Sequence, residues 1–180
     1  MATNCSVQMN ELLRFLQRSS HRTLMEWLEA HLADGCESCH SRVAWLIKLG
    51  EDLAPDALGQ VNVARSIPDP RLRSVPMALR GSLADVRQEL FEARSDIRID
   101  VQIEETDPDS FTLEGQVMIF DGEGKSGKGA VVSLYQGGER LAKTTATVIG
   151  EFTFTGADSG TYDMTILVDD ACVVVPDLEV

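Results

Sequence analysis

Four residues near the N-terminus have side chains that could bind a soft metal ion: Cys5, His31, Cys36 and Cys39. Together they read C-x25-H-x4-C-x2-C. Three thiols and an imidazole are a donor set that zinc takes in a closed tetrahedral site. Cys36 and Cys39 are three residues apart, so on a helical turn both thiols face one way. At a helix N-terminus the macrodipole favours the thiolate. His31 stands at the end of the preceding helical stretch, and Asp34-Gly35 turns the chain between them. Cys5 precedes the first helical stretch and must return to close the site. His40 and His21 are rivals for that fourth place. Two other roles compete with metal binding. His31 shares a face with Leu24 and Leu28 and could be a core histidine, with the cysteines as small buried hydrophobes. Cys36 and Cys39 could instead form a redox pair.

Helical patterning surrounds these ligands. In residues 7–18 the apolar positions Met9, Leu12, Leu13, Phe15 and Leu16 form one stripe. In residues 22–33 the stripe is Leu24, Leu28 and His31. A third helix is predicted from near Cys36 to Leu49, with Cys39, Val43, Leu46 and Ile47 inward, ended by Gly50 and Pro55. Residues 55–82 hold Pro55, Pro68, Pro70 and Pro76, which argues against helix and central strand. This stretch is expected to be a linker whose apolar residues dock on the chain or on a partner.

From about residue 84 the period changes to two. Ile97 to Glu104 alternates without a fault, which marks a strand with one buried face. Further strands are predicted over residues 112–120, 130–136, 140–148, 151–155, 161–168 and 172–175, and residues 86–93 read as strand or short helix. The resulting expectation is α+β in separate domains. A zinc-clamped three-helix domain (1–54) and a linker (55–82) precede an antiparallel sandwich of seven to eight strands (83–180).

Composition narrows the function classes. The chain of 180 residues is 43% hydrophobic and 25% charged, ordinary values for a globular protein. Its net charge of −13 is concentrated in residues 107–180, which carry 4 basic and 13 acidic side chains. Such acidity repels phosphate backbones, so nucleic acid is not the expected partner. No apolar run spans a membrane and no signal peptide is evident, so the expected location is the cytoplasm. All three histidines lie in residues 21–40, leaving the sandwich without a base for a hydrolytic triad, and no enzymatic activity is expected. Gly124-Lys125-Ser126 lacks the earlier glycine of a phosphate loop, since Ile119 stands there. Cys172 lies in an apolar run and reads as a buried thiol. Trp27 and Trp45 read as core or interface residues.

The stretch HLADGCESCHSRVAWL, with a helix before it and Cys5 upstream, resembles the zinc-binding anti-sigma factor domain. That family shows H-x3-C-x2-C after a short helix, with an N-terminal Cys or His completing the site, and this chain has one residue more after His31. The resemblance covers about residues 5–50. It implies one zinc per chain and helices that clasp an RNA polymerase sigma factor of the extracytoplasmic-function class. Residues 111–168 resemble the carboxypeptidase regulatory-like, transthyretin-like sandwich, through Gly115-Gln-Val117, residues 129–134, Phe152-Thr-Phe154 and Gly160-Thr-Tyr162. Such sandwiches are accessory and binding modules. The Lys–Asn cross-link of related modules is impossible here, because no Asn follows Asn62. The chain is thus expected to be a zinc-dependent regulator that sequesters a sigma factor, with thiol oxidation as a possible signal. The alternative is an adaptor joining two protein partners.

Overall fold

The computed structural model describes residues 5–53, 61–67, 86–94, 96–120, 127–168 and 171–180. Three helices come first: α1 (Met9–Leu16), α2 (Arg22–Ala33) and α3 (Glu37–Leu53). α3 continues one turn past Gly50, where the sequence suggests a stop. A single helical glycine costs only about 1 kcal/mol against alanine, and Gly50 is buried here beside Leu49. The inward face of α3 carries Cys39, Trp45, Leu46 and Leu49, while Ile47, expected inside, is 42% exposed.

Ten strands follow among the described residues: β1 (Val61–Val63), β2 (Arg65–Ile67), β3 (Val86–Ala93), β4 (Ile97–Asp107), β5 (Ser110–Ile119), β6 (Val131–Gln136), β7 (Glu139–Thr145), β8 (Glu151–Asp158), β9 (Thr161–Val168) and β10 (Ala171–Glu179). They form two five-stranded sheets. The first has the order β1-β10-β9-β6-β7 and the second β2-β3-β4-β5-β8. The fold is therefore mixed α+β, with more strands than the seven or eight expected.

The surplus comes from the segment expected to be a linker. Residues 61–67 lie inside 55–82, yet they form β1 and β2, one in each sheet. The crossing point is Ala64, which is buried and donates its backbone N–H to the Val174 carbonyl at 2.7 Å. β1 runs parallel to β10, an exception to the antiparallel arrangement expected. The four prolines of 55–82, and the turns at 121–124 and 169–170, lie outside the described residues.

Between the sheets, alternation decides what is buried. Ile97, Ile99, Val101 and Ile103 of β4 point inward, while Arg98, Gln102 and Glu104 face solvent. They pack with Leu113, Val117, Met164, Ile166, Val173 and Val175. Gly115 leaves room for an aromatic ring: a Cβ there would sit 2.3 Å from Phe152 Cζ and 2.7 Å from the Asp100 carbonyl.

A second apolar cluster forms between the helices and the outer face of the first sheet. Met9, Leu12, Leu28, Trp45, Leu46 and Leu49 share it with Val61, Tyr135, Cys172 and Val174. Helices and sandwich thus share an apolar interface. The Trp45 ring lies 5.3 Å from that of Tyr135 and close to Gly138. Gly137 and Gly138 both have positive φ, 58° and 84°, as a two-residue type I′ hairpin turn requires. Arg42 of α3 forms an ion pair with Asp177 at a bulge in β10, and the Asp177 N–H donates to Asp163 Oδ1 at 3.2 Å.

Candidate metal centre

Local structure explains how ligands so far apart in sequence meet. Val7 and Met9 are buried, which pins the segment before α1 and brings Cys5 back over the helices. The Gln8 N–H donates to Glu11 Oε2 at 2.9 Å and secures the start of α1. α2 runs to His31 in its last turn. Gly35, at φ 80°, then reverses the chain and donates its N–H to the Leu32 carbonyl at 2.9 Å. That left-handed turn is cheap only for a residue without a Cβ. Cys36 follows immediately before α3, and Cys39 lies one turn inside it.

The result is a tight cluster. Cys5 Sγ lies 3.3 Å from His31 Nε2 and 3.2 Å from Cys39 Sγ, and Cys39 Sγ lies 3.4 Å from His31 Nε2. With Cys36, all four ligand atoms fall within 4.8 Å of one another, close enough to hold a metal ion. The edges of a tetrahedral zinc site with these ligands are about 3.8 Å for S···S and about 3.6 Å for S···N, from bond lengths of about 2.3 and 2.0–2.1 Å. The Cys5, His31 and Cys39 atoms need to move apart by only a few tenths of an ångström to reach those edges. All four cysteines of the chain are free thiols. The Cys5–Cys39 separation is well beyond the S–S bond length of about 2.05 Å.

The electrostatics suit a cation. The Cys39 backbone N–H donates to the Cys36 sulfur and holds the Cys36 thiol down at about 7. Burial pushes the Cys39 thiol up to about 12, and the neighbouring cysteines add to the rise. A divalent cation held among the four side chains would supply positive charge that favours their thiolate forms.

The other histidines are placed elsewhere. His40 Nε2 donates to the Leu32 carbonyl at 2.8 Å and so satisfies an end carbonyl of α2. His21 is the exposed cap residue at the opposite end of α2. Cys172 is buried under the helices as part of β10, and burial raises its pKa to about 12. Trp45 fills the joint between α3 and the first sheet, as an interface residue should. Trp27 is 47% exposed and stacks on His31. The sequence carried a signal for that contact, since Trp27 and His31 are four apart on one helix.

Among the described residues, no helix is long and apolar enough to cross a membrane. No family model matches this chain, and neither does any curated protein or solved structure.

Proposed function

We propose that Cys5, His31, Cys36 and Cys39 hold one Zn2+ per chain in a closed structural site, within a regulator that acts by binding another protein. The observation that carries this reading is the convergence of four soft ligands, contributed by the start of the chain and by the facing ends of α2 and α3, within 4.8 Å. Four protein ligands leave no open position for substrate or water, the hallmark of a structural rather than a catalytic zinc site. The metal would tie three short helical segments at one node.

For the partner, the resemblance of residues 5–50 points to a sigma factor of the extracytoplasmic-function class, sequestered by occlusion of its polymerase-binding surface. The inner faces of α1 and α3 are occupied by the second apolar cluster, so the partner would meet the outer surface. Trp27 and Ile47 are exposed there. The adaptor reading draws on a different observation. The outward face of the second sheet, with Arg98, Gln102 and Glu104, is exposed on the side of the sandwich away from the helices and offers a second surface.

Metal content after anaerobic purification tests the site. Wild type should carry one zinc per chain, and Cys5→Ser should lose most of it. A metal-free wild type, prepared with zinc supplied throughout, would remove the basis of the reading. Co-purification with a sigma factor then separates sequestration from adaptor function.

A further inference from the structure

His31 is the one ligand whose ring must be aimed. A thiolate presents its sulfur over a wide range of directions, but an imidazole binds along the in-plane lone pair of one nitrogen. The helix restricts χ1 of His31, while χ2 of a histidine has a broad well. Metal-bound histidines usually have that rotation fixed by a hydrogen bond from the other ring nitrogen. Among the described residues, no hydrogen bond to a carboxylate or a backbone carbonyl holds His31 Nδ1, and the polar contacts of the ring go to the cysteines of the cluster, through Nε2 to Cys5 and Cys39.

What the ring does have is Trp27. The indole lies one turn earlier on α2, with ring centroids 5.4 Å apart and planes only 11° from parallel. Burial in the core does not account for its position. At 47% exposed, the largest side chain on α2 does little for the buried cluster, whose fully buried contribution from that helix is Leu28.

We infer that Trp27 is a positioning residue for the metal site. Its stacked indole holds the His31 imidazole in the plane that points Nε2 at the ion, in place of a hydrogen bond to Nδ1. The inference rests on the metal-binding reading and adds to it a residue outside the ligand set. The stack should also strengthen when metal binds. A cation on Nε2 draws electron density from the imidazole, and an electron-poor ring is attracted more strongly to the face of an indole. Trp27 would then contribute to metal affinity more than to the metal-free fold.

The test is a zinc competition titration against a chromophoric chelator, on wild type, Trp27→Phe and Trp27→Ala. Circular dichroism of each metal-free form and the visible spectrum of each Co2+ form accompany it. Trp27→Ala should weaken zinc binding about 10-fold, the lower end of the range for partners that orient a ligand. Trp27→Phe, which keeps a stacking ring, should recover most of the loss. The Co2+ bands of the alanine variant should shift while its metal-free helix content stays at the wild-type level. Equal affinity in wild type and Trp27→Ala would overturn the inference, and so would a phenylalanine variant as weak as the alanine one. Loss of helix in metal-free Trp27→Ala would also overturn it, by making the role structural. Failure of wild type itself to bind zinc would be a different result, striking the metal reading from which the inference starts.

Discussion

Strand β10 sends Val173 and Val175 into the space between the sheets, and Cys172 and Val174 into the space under the helices. One strand therefore belongs to both cores, and the two are built differently. Between the sheets, each buried side chain is held by neighbours on its own sheet and by the facing one. Ile99, Val101, Leu113, Val117 and Ile166 are fully inaccessible. Under the helices, α1 buries Met9, Leu12 and Leu13, while α2 buries Leu28 alone, with Leu24 and Leu32 only partly covered. A helix of 12 residues with one buried side chain has little packing to stabilise it, and isolated helices of that length are marginal in water. Its other attachments are the partly buried Leu24 and Leu32, the Leu32 carbonyl that accepts from His40 of α3, and His31 in the ligand cluster. The sandwich is thus held by redundant burial, and the outer helical layer by a few contacts and one cluster of ligands.

The largest effect should come from withdrawing the metal. In small peptides structural zinc contributes about 10–16 kcal/mol of apparent binding free energy, all of it expressed as folding. Here α3 retains Trp45, Leu46 and Leu49 against the sheet, so the loss should fall on residues 5–35 and spare most of α3. Amide hydrogen exchange before and after chelation is the measurement. Protection should fall most in α1 and α2 while β4 and β9 keep theirs. Equal acceleration in β9 and α2 would break the comparison, by making the whole chain one cooperative unit. The thiol of Cys172 gives a sharper reading of the shared strand. If it stays unreactive toward a thiol reagent after chelation, α3 remains in place over β10.

The reverse experiment strikes the sandwich. Leu113 is fully buried between the sheets, and Leu113→Ala should cost about 2–5 kcal/mol through lost transfer energy and the cavity left behind. Urea denaturation measures that loss. Zinc affinity should stay within about twofold of wild type, because Leu113 belongs to the cluster the helices do not enter. A variant that lost stability and zinc affinity together would show that the two cores are coupled through β10 more strongly than their separate side chains suggest.

The sequence was legible where one local rule operated alone. The ligand spacing, the 12-residue span of α2 and the alternation of β4 each follow from a single periodicity. Legibility failed where layers meet. Three-residue strands such as β1 and β2 are too short to show a period, and the prolines around them argue for a linker. The continuous run Cys172 to Val175 did contain a signal, because a strand apolar at successive positions is buried on both faces. It foretold a covering layer without saying that the helices provide it. The orientation of α3 was also hidden: Trp45 and Ile47 are both apolar, and only the first sheet selects Trp45 as the one to bury. His40 sits next to the motif and has a ligand's chemistry, yet its ring nitrogen answers an open carbonyl at the end of α2.

The smallest expected effect lies at the polar joint between the layers. Asp163 on β9 is mostly buried, and burial raises its pKa from the ordinary 3.8; the Asp177 N–H and the Arg42 guanidinium offset this only in part, and the Asp177 charge adds to the rise. The folded protein therefore keeps a proton on Asp163 to higher pH than the unfolded chain does. The stability linked to that proton is complete below about pH 4, near the unfolded value, and declines as pH rises through the folded one. Asp163→Asn removes the ionisation while leaving a carbonyl oxygen to accept the Asp177 N–H. The variant should gain on wild type as pH rises from 4 to 7, read as the difference between their urea midpoints at the two values. A constant difference would place Asp163 in water at neutral pH and loosen the joint. A variant that instead lost stability on going to pH 7 would mean that the charge pairing with Arg42 outweighs burial. The helical layer would then have a second ionic attachment to the sandwich, beside the Arg42–Asp177 pair.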